Sequence, residues 1–371
     1  MTEPKATKAV AKSTKAVTKA AAKATKAAAK ATKKSAPVVV SPPAPPAPSA
    51  PSAPSAPEIA LVIPTYQNAG LIRTIVEGLS EQTLGSERYE VIVVDDCSTD
   101  STVAELQELS RTLPYRLSVL QTPVNRGPAA ARNIGWQNTE APFVAFIDDD
   151  CTPSPHYLEE GLLAFHEQTG AGVIQGRTHT PGEVSVRGLT DWWLWRVVEG
   201  PTAFFEGCNL FFRRHLLELT GGFDEEIRYY GEDTAAGWKV LEAGFGQGFA
   251  PKASVSHPVE QRGFRWFVRN GYLESRVVAC AAKHPGFRPA AFWRPWAFRK
   301  EEPALVVAVF GLLVARRFRP ALLLALPYLW WRRPSVRHLN FFRLCLQVPA
   351  VDAARLAGHL RGSMENRVFV L

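Results

Sequence analysis

The chain has 371 residues, an apolar share of 46% and a formal charge of +8, enough for one large domain or two ordinary ones with a sizeable core. The charge is uneven: residues 1–36 hold ten lysines and one acid, whereas the other 335 residues hold 33 basic and 34 acidic side chains, so the basic character belongs to the tail and the rest is near neutral. Five widely spaced cysteines without a C-x-x-C pair argue against a zinc site or disulfide framework and for a reducing cytoplasm.

The N-terminus lacks the apolar core of a signal peptide, so secretion by that route is not expected. Lysines at 5, 8, 12, 15, 19, 23, 26, 30 and 33 fall on one face of a helix. Stacked like charges oppose that helix in isolation. The expectation is a disordered tail that becomes helical against a polyanion, either DNA or an anionic membrane surface. A solubilising tail without a fixed partner is the plain alternative. Residues 37–57 carry nine prolines among Ala and Ser, which makes a semi-rigid polyproline II spacer.

From Glu58 the pattern alternates. "IALVIPTY" (59–66) reads as a buried strand and "AGLIRTIVEGLSEQ" (69–82) as a helix. "YEVIVVDD" (89–96), "STVAELQELSRT" (101–112), "YRLSVLQT" (115–122), "PAAARNIGWQNT" (128–139) and "PFVAFIDDD" (142–150) repeat the alternation. This order implies an α/β fold with a largely parallel sheet between helices. Ligands bind such sheets beyond the carboxyl ends of the strands, which is where Asp95, Asp96, Asp148, Asp149 and Asp150 fall. They are expected in one cleft. Past residue 290, "PALVVAVFGLLVA" (303–315) and "PALLLALPYLWW" (320–331) are apolar, each shorter than the roughly 20 residues of a spanning helix. With Trp293, Trp296, Trp330, Trp331 and the nearby arginines, they suggest a helical hairpin lying in one leaflet. Two buried helices of a C-terminal subdomain are the other reading.

Five converging acids with no base immediately beside them in sequence call for a cation. Hard oxygen ligands suit Mg²⁺ or Mn²⁺, the usual bridge to a nucleotide diphosphate.

The ordered set "VIPTYQN" (62–68), "VIVVDDCSTD" (91–100), "NRGPAAARNIG" (125–135), "FIDDD" (146–150), "GGFDE" (221–225) and "GEDTAAGWKV" (231–240) strongly resembles family 2 glycosyltransferases of the GT-A fold over about residues 58–270. The resemblance implies transfer from a nucleotide sugar with inversion at the anomeric carbon. It places Pro64 and Tyr66 against the nucleotide, Asp96 on the base and Asp95 beside it or on the ribose, with Asp95 as a cap of the following turn equally open. Arg132 would reach the donor's phosphates or sugar. Asp148 and Asp150 become the D-x-D acids, Asp150 holding the metal and Asp148 facing the ribose or sugar. Asp233 becomes the catalytic base and Glu232 its neighbour at the acceptor, while His257 matches a metal ligand seen in some relatives of the fold. "DWWLWR" (191–196) is a candidate acceptor-stacking or lipid-facing cluster, with core packing equally open.

No Q-x-x-R-W motif or set of long spans accompanies these motifs, which favours single addition over polymerisation. The acceptor is expected to be a saccharide or a lipid-linked group, in envelope polysaccharide or glycolipid synthesis at the inner face of the membrane. The expected division is a basic tail (1–36), a linker (37–57), a GT-A domain (58–290) and a helical, membrane-associated region (291–371). Two other readings stand beside this one: a sugar nucleotidyltransferase, and a polyanion-binding scaffold whose GT-A-like site is inactive.

Overall fold

A computed structural model describes residues 56–183, 192–227, 230–332 and 341–371. The basic tail, nearly all of the proline-rich spacer and Asp191 lie outside the described residues. The first apolar run forms β1 (Ile59–Thr65), buried along its whole length. Burial on both faces explains its lack of alternation. Ile59, Leu61 and Ile63 join one core with Val91 and Val93 of β2 (Tyr89–Asp95), while Ala60 and Val62 join the other with Ile92 and Val94.

Between these strands, α1 (Ala69–Gly78) turns Ile72, Ile75 and Val76 inward and ends in a 3-10 turn at Leu79–Glu81, short of the expected residue 82. Next come α2 (Thr102–Leu109), β3 (Arg116–Gln121), α3 (Pro128–Gln137) and β4 (Phe143–Phe146). β4 stops before the acids. Residues 148–151 curl into a turn closed by the Cys151 N–H on the Asp148 carbonyl at 3.1 Å.

Beyond the turn are β5 (Thr152–Pro153), α4 (Tyr157–Glu167), β6 (Ala171–His179) and β7 (Trp193–Leu194). After them run β8 (Leu210–Arg213), α5 (Arg214–Thr220), α6 (Glu232–Glu242), β9 (Gly246–Ser256) and β10 (Glu260–Gln261). One eight-stranded sheet has the order β3-β2-β1-β4-β8-β6-β9-β5, and β7 pairs with β10 apart from it. The strands from β3 to β4 are parallel, as are β6 and β9, while β8 runs antiparallel to both its neighbours. Chain order reverses at β1, with β2 on one side and β4 on the other. That switch point is where such sheets open a crevice.

The remaining helices are α7 (Phe264–Leu273), α8 (Ser275–Lys283), α9 (Phe287–Ala291), α10 (Glu301–Val314), α11 (Leu326–Arg332) and α12 (Phe341–Glu365), with a 3-10 segment Arg319–Ala325 before α11. α12 packs along α7 and α8. Val370 is buried with Val278, Phe287 and Phe292. Leu371 donates to the Trp296 carbonyl at 2.8 Å and accepts from the Phe298 N–H at 2.7 Å. The two apolar stretches form a hairpin whose inner side, Ala304, Leu305, Ala308 and Tyr328, is buried. Among the described residues no helix is long and apolar enough to cross a membrane.

Candidate active site

The carboxyl ends of β1, β2 and β4 and the start of α6 open on a cleft of about 730 Å³. That volume is in the range of small-molecule sites. Pro64, Tyr66, Asp96, Arg132, Asp148, Asp150, Glu232, Asp233 and His257 all line it. Asp95 does not. Its buried carboxylate accepts from the Ser98 N–H at 2.9 Å and from Gln121 Nε2 at 3.0 Å, capping the turn after β2. Asp96 lines the cleft while holding the loop before α3, accepting from the N–H groups of Arg126 (2.9 Å) and Gly127 (2.7 Å).

The sequence sets no base next to the acids, but the fold supplies one. Arg132 projects from α3, whose Ala129, Ala130 and Ala131 are small enough to bury that helix. Its guanidinium donates to Asp148 at 2.7 Å and to Glu232 at 3.0 Å, and lies 5.5 Å from the Phe223 ring centre. Burial works against its charge, yet the carboxylates of Asp148, Glu232 and Asp233 hold it protonated. Arg132 is therefore engaged by side chains from two other elements. Its Nε and the second oxygen of Glu232 are buried without a protein partner, and buried polar atoms of this kind call for a water or a ligand.

The three acids after β4 have separate surroundings. Asp149, the middle one, accepts from Thr65 Oγ1 at 2.7 Å, and burial pushes its carboxyl up to about 6. Burial and the neighbouring Asp148 also push Asp150 up. A metal would reverse that cost. Asp150, Cys151 and His257 bring their donor atoms within 4.8 Å of one another. His257 Nδ1 lies 2.9 Å from the Pro258 carbonyl, which can only accept, so that nitrogen carries the proton. Nε2 is left as a lone-pair donor 3.9 Å from Asp150, the usual arrangement of a metal-ligating histidine. The Cys151 thiol is held protonated by its hydrogen bond with Cys208 and by burial. A carboxylate and an oriented imidazole, with Asp148 close by, could hold a divalent metal ion.

Asp233 stands in the first turn of α6, one residue after Glu232. Its Oδ2 accepts from the Gly207 N–H at 2.8 Å. A Cβ at position 207 would lie 2.9 Å from Arg132 Nη2 and 3.3 Å from Asp233 Cβ, so a larger residue there would press on the Arg132 guanidinium. Burial, then the adjacent Glu232, push the Asp233 carboxyl up to about 7, although Arg132 and two N–H donors oppose the shift.

Residues 60–221 match the family model for glycosyl transferase family 2, and residues 143–331 match that for glycosyl transferase family group 2. The chain belongs to the family 2 glycosyltransferases. It is 28% identical over 243 residues to the pre-mycofactocin glycosyltransferase of Mycobacterium tuberculosis, a match covering 62% of this chain and 48% of that protein. It is 27% identical over 210 residues to glycosyltransferase AglE of Haloferax volcanii, covering 55% and 68%. It is 28% identical over 275 residues to the validoxylamine A glucosyltransferase of Streptomyces hygroscopicus subsp. jinggangensis, covering 63% of each. The chain thus spans about half the length of the first of these relatives. Among solved structures, the mannosyltransferase of Pyrobaculum calidifontis, in complex with GDP-Man and Mn²⁺, superposes with a TM-score of 0.54 at 21% identity, covering 87% of this chain and 90% of that one. That likeness is one of fold, the GT-A arrangement.

Within this family 2 glycosyltransferase, sequence reasoning missed the far wall of the cleft. Arg196, Tyr230, Glu274, Val277, Phe298 and Arg299 line it, and four of these lie outside the region of resemblance. Apart from Arg196, the last residue of the tryptophan cluster, they belong to no motif and approach only through tertiary packing. Of the tryptophan cluster, Trp192 packs on Phe264 and Phe267, and Trp195 is exposed.

Proposed function

We propose that this chain is an inverting glycosyltransferase that moves a sugar from a nucleotide-diphosphate sugar to an acceptor hydroxyl, with Asp233 as general base. The observation that carries the reading is Asp233 itself. Its carboxyl is raised to about 7 and held by the Gly207 N–H in the same cleft as Asp148, Asp150 and His257. A base poised near neutral pH suits proton removal from a hydroxyl.

Asp233 takes the acceptor's O–H proton as that oxygen bonds to the anomeric carbon, on the face opposite the diphosphate. The carbon–oxygen bond to the diphosphate breaks, its electron pair departs with the nucleoside diphosphate, and configuration inverts. Asp150 and His257, with Asp148 beside them, would hold Mn²⁺ or Mg²⁺, which when bound offsets charge on the leaving diphosphate. Pro64, Tyr66 and Asp96 form the nucleotide end, and Asp95 acts by fixing the turn that carries Asp96. Arg132 positions Asp148 and Glu232. The complexes of the mannosyltransferase with GDP-Man and Mn²⁺ support the donor and metal classes.

A basic tail over 1–36 and a linker over 37–57 precede a catalytic domain over 58–290 and a helical region over 291–371. The enzyme works at the inner membrane face, in envelope polysaccharide or glycolipid synthesis, with the tail on a polyanion or anionic lipid. Asp233→Asn tests the chemistry: donor affinity should survive while transfer falls by roughly 10²–10⁴-fold. Lost donor binding with unimpaired transfer at saturation would remove Asp233 from the role of base.

A further inference from the structure

The hairpin of α10 and α11 carries its polarity inside out. Its inner side holds the buried carboxylate of Glu302, which accepts from the Arg299 N–H at 2.9 Å and lies 2.9 Å from buried His359. Tyr328 and Arg332 both donate to Asp352 of α12, at 2.9 and 2.7 Å. These bonds fix which way the hairpin faces. Its outer side is apolar: Phe310, Leu312, Leu313, Leu323, Leu326 and Trp330 are each more than half exposed. Exposed apolar side chains gathered on two adjoining arms mark an interaction face.

Charge and length identify the occupant. Arg316, Arg317 and Arg319 are exposed at the turn between the arms, and Trp293 and Trp296 are exposed ahead of α10, at the other end of that helix in sequence. Cations and tryptophans flanking an apolar face match the layered chemistry of an anionic bilayer surface. The 14 residues of α10 reach only about 21 Å, less than a hydrocarbon core. The hairpin is therefore suited to lie in the headgroup boundary and not to span. Phe298 and Arg299 line the cleft and stand just ahead of α10, so docking this face brings the far end of the cleft to the lipid.

We infer that the 301–332 hairpin is a lipid-docking surface and that the acceptor hydroxyl is carried on a lipid. The acceptor half rests on the sugar-transfer reading above; the docking half does not.

Vesicle flotation of the full chain tests docking without any turnover. Phosphatidylcholine vesicles give the N-terminal lysines no net charge to bind, and vesicles containing phosphatidylglycerol add the anionic component. Wild-type protein should float with both and stay bound in high salt. Phe310→Glu/Leu313→Glu and Leu323→Glu/Trp330→Glu change only exposed positions and should reduce flotation on phosphatidylcholine by roughly tenfold or more, with unchanged melting curves. Wild type that fails to float, or variants that float equally well, would overturn the proposal. So would a dimer of the free protein that the glutamates dissociate, since a second copy would then cover the face. For the acceptor half, a panel of radiolabelled nucleotide sugars is incubated with extracted membrane lipids. Label should enter the organic phase with wild type and fall with Phe310→Glu/Leu313→Glu, while donor hydrolysis is unchanged. Label reaching only water-soluble acceptors would refute the lipid acceptor. Flotation without turnover of any donor would instead sink the sugar-transfer reading, and the acceptor with it, leaving docking intact.

Discussion

Arg132 joins the two ends of the cleft, because its guanidinium holds Asp148 after β4 and Glu232 at the start of α6. Removing one partner of a buried ion pair leaves the others uncompensated, at a cost of roughly 3–5 kcal/mol. Arg132→Ala should therefore lower stability by about that amount in denaturant titrations. Arg132→Lys should recover only part of it, since one ammonium cannot reproduce the planar fork. Asp233 gives a pH signature. Its folded value of about 7 exceeds the ordinary 3.8, so the folded chain binds an extra proton between those limits. This group favours the folded state in acid, and the advantage fades as pH climbs through about 7. Transfer needs the anion and should rise over the same interval. Asp233→Asn should flatten that part of the stability profile, measured as melting temperature against pH without donor. The acids themselves were legible in the sequence, because each follows an apolar strand or opens a helix. Their partner was not, since Arg132 and Glu232 are 100 residues apart and meet only through the fold.

At the level of elements, β1 and β2 were legible because burial on both faces demands an unbroken apolar run. Boundaries were less so. The expected fourth strand ran to Asp150, but three successive carboxylates cannot remain in a buried ladder and turn away after Phe146. The apolar arms were read correctly as helical, while the side each presents was decided by contacts with α12 that no local pattern encodes. Gly311 shows how tightly those arms meet: an added Cβ would lie 2.6 Å from the Ala321 carbonyl and 2.8 Å from Leu324 Cβ. Gly311→Val should overpack this crossing and cost roughly 1–3 kcal/mol, read as a lower melting temperature. An unchanged melting curve would mean that the arms separate easily.

Along the sequence, net charge and exposed apolar residues are segregated. The lysines of residues 1–36 carry the net charge, whereas the rest of the chain is near neutral. Deleting residues 1–57 should abolish salt-sensitive retention on heparin or DNA columns and spare transfer to a small soluble acceptor. Retention that survives the deletion would locate the polyanion site elsewhere. At the other end, Val370 and Leu371 return to pack beside Phe292 and pair with Trp296 and Phe298, and Phe298 lines the cleft. Translation gives this return a temporal meaning. Chains fold from the N-terminal side as they emerge from the ribosome, so the sheet and the apolar hairpin leave the exit tunnel before the segment that secures the far wall. The far wall is therefore the part of the cleft completed last, when Val370 and Leu371 pack beside Phe292 and pair with Trp296 and Phe298.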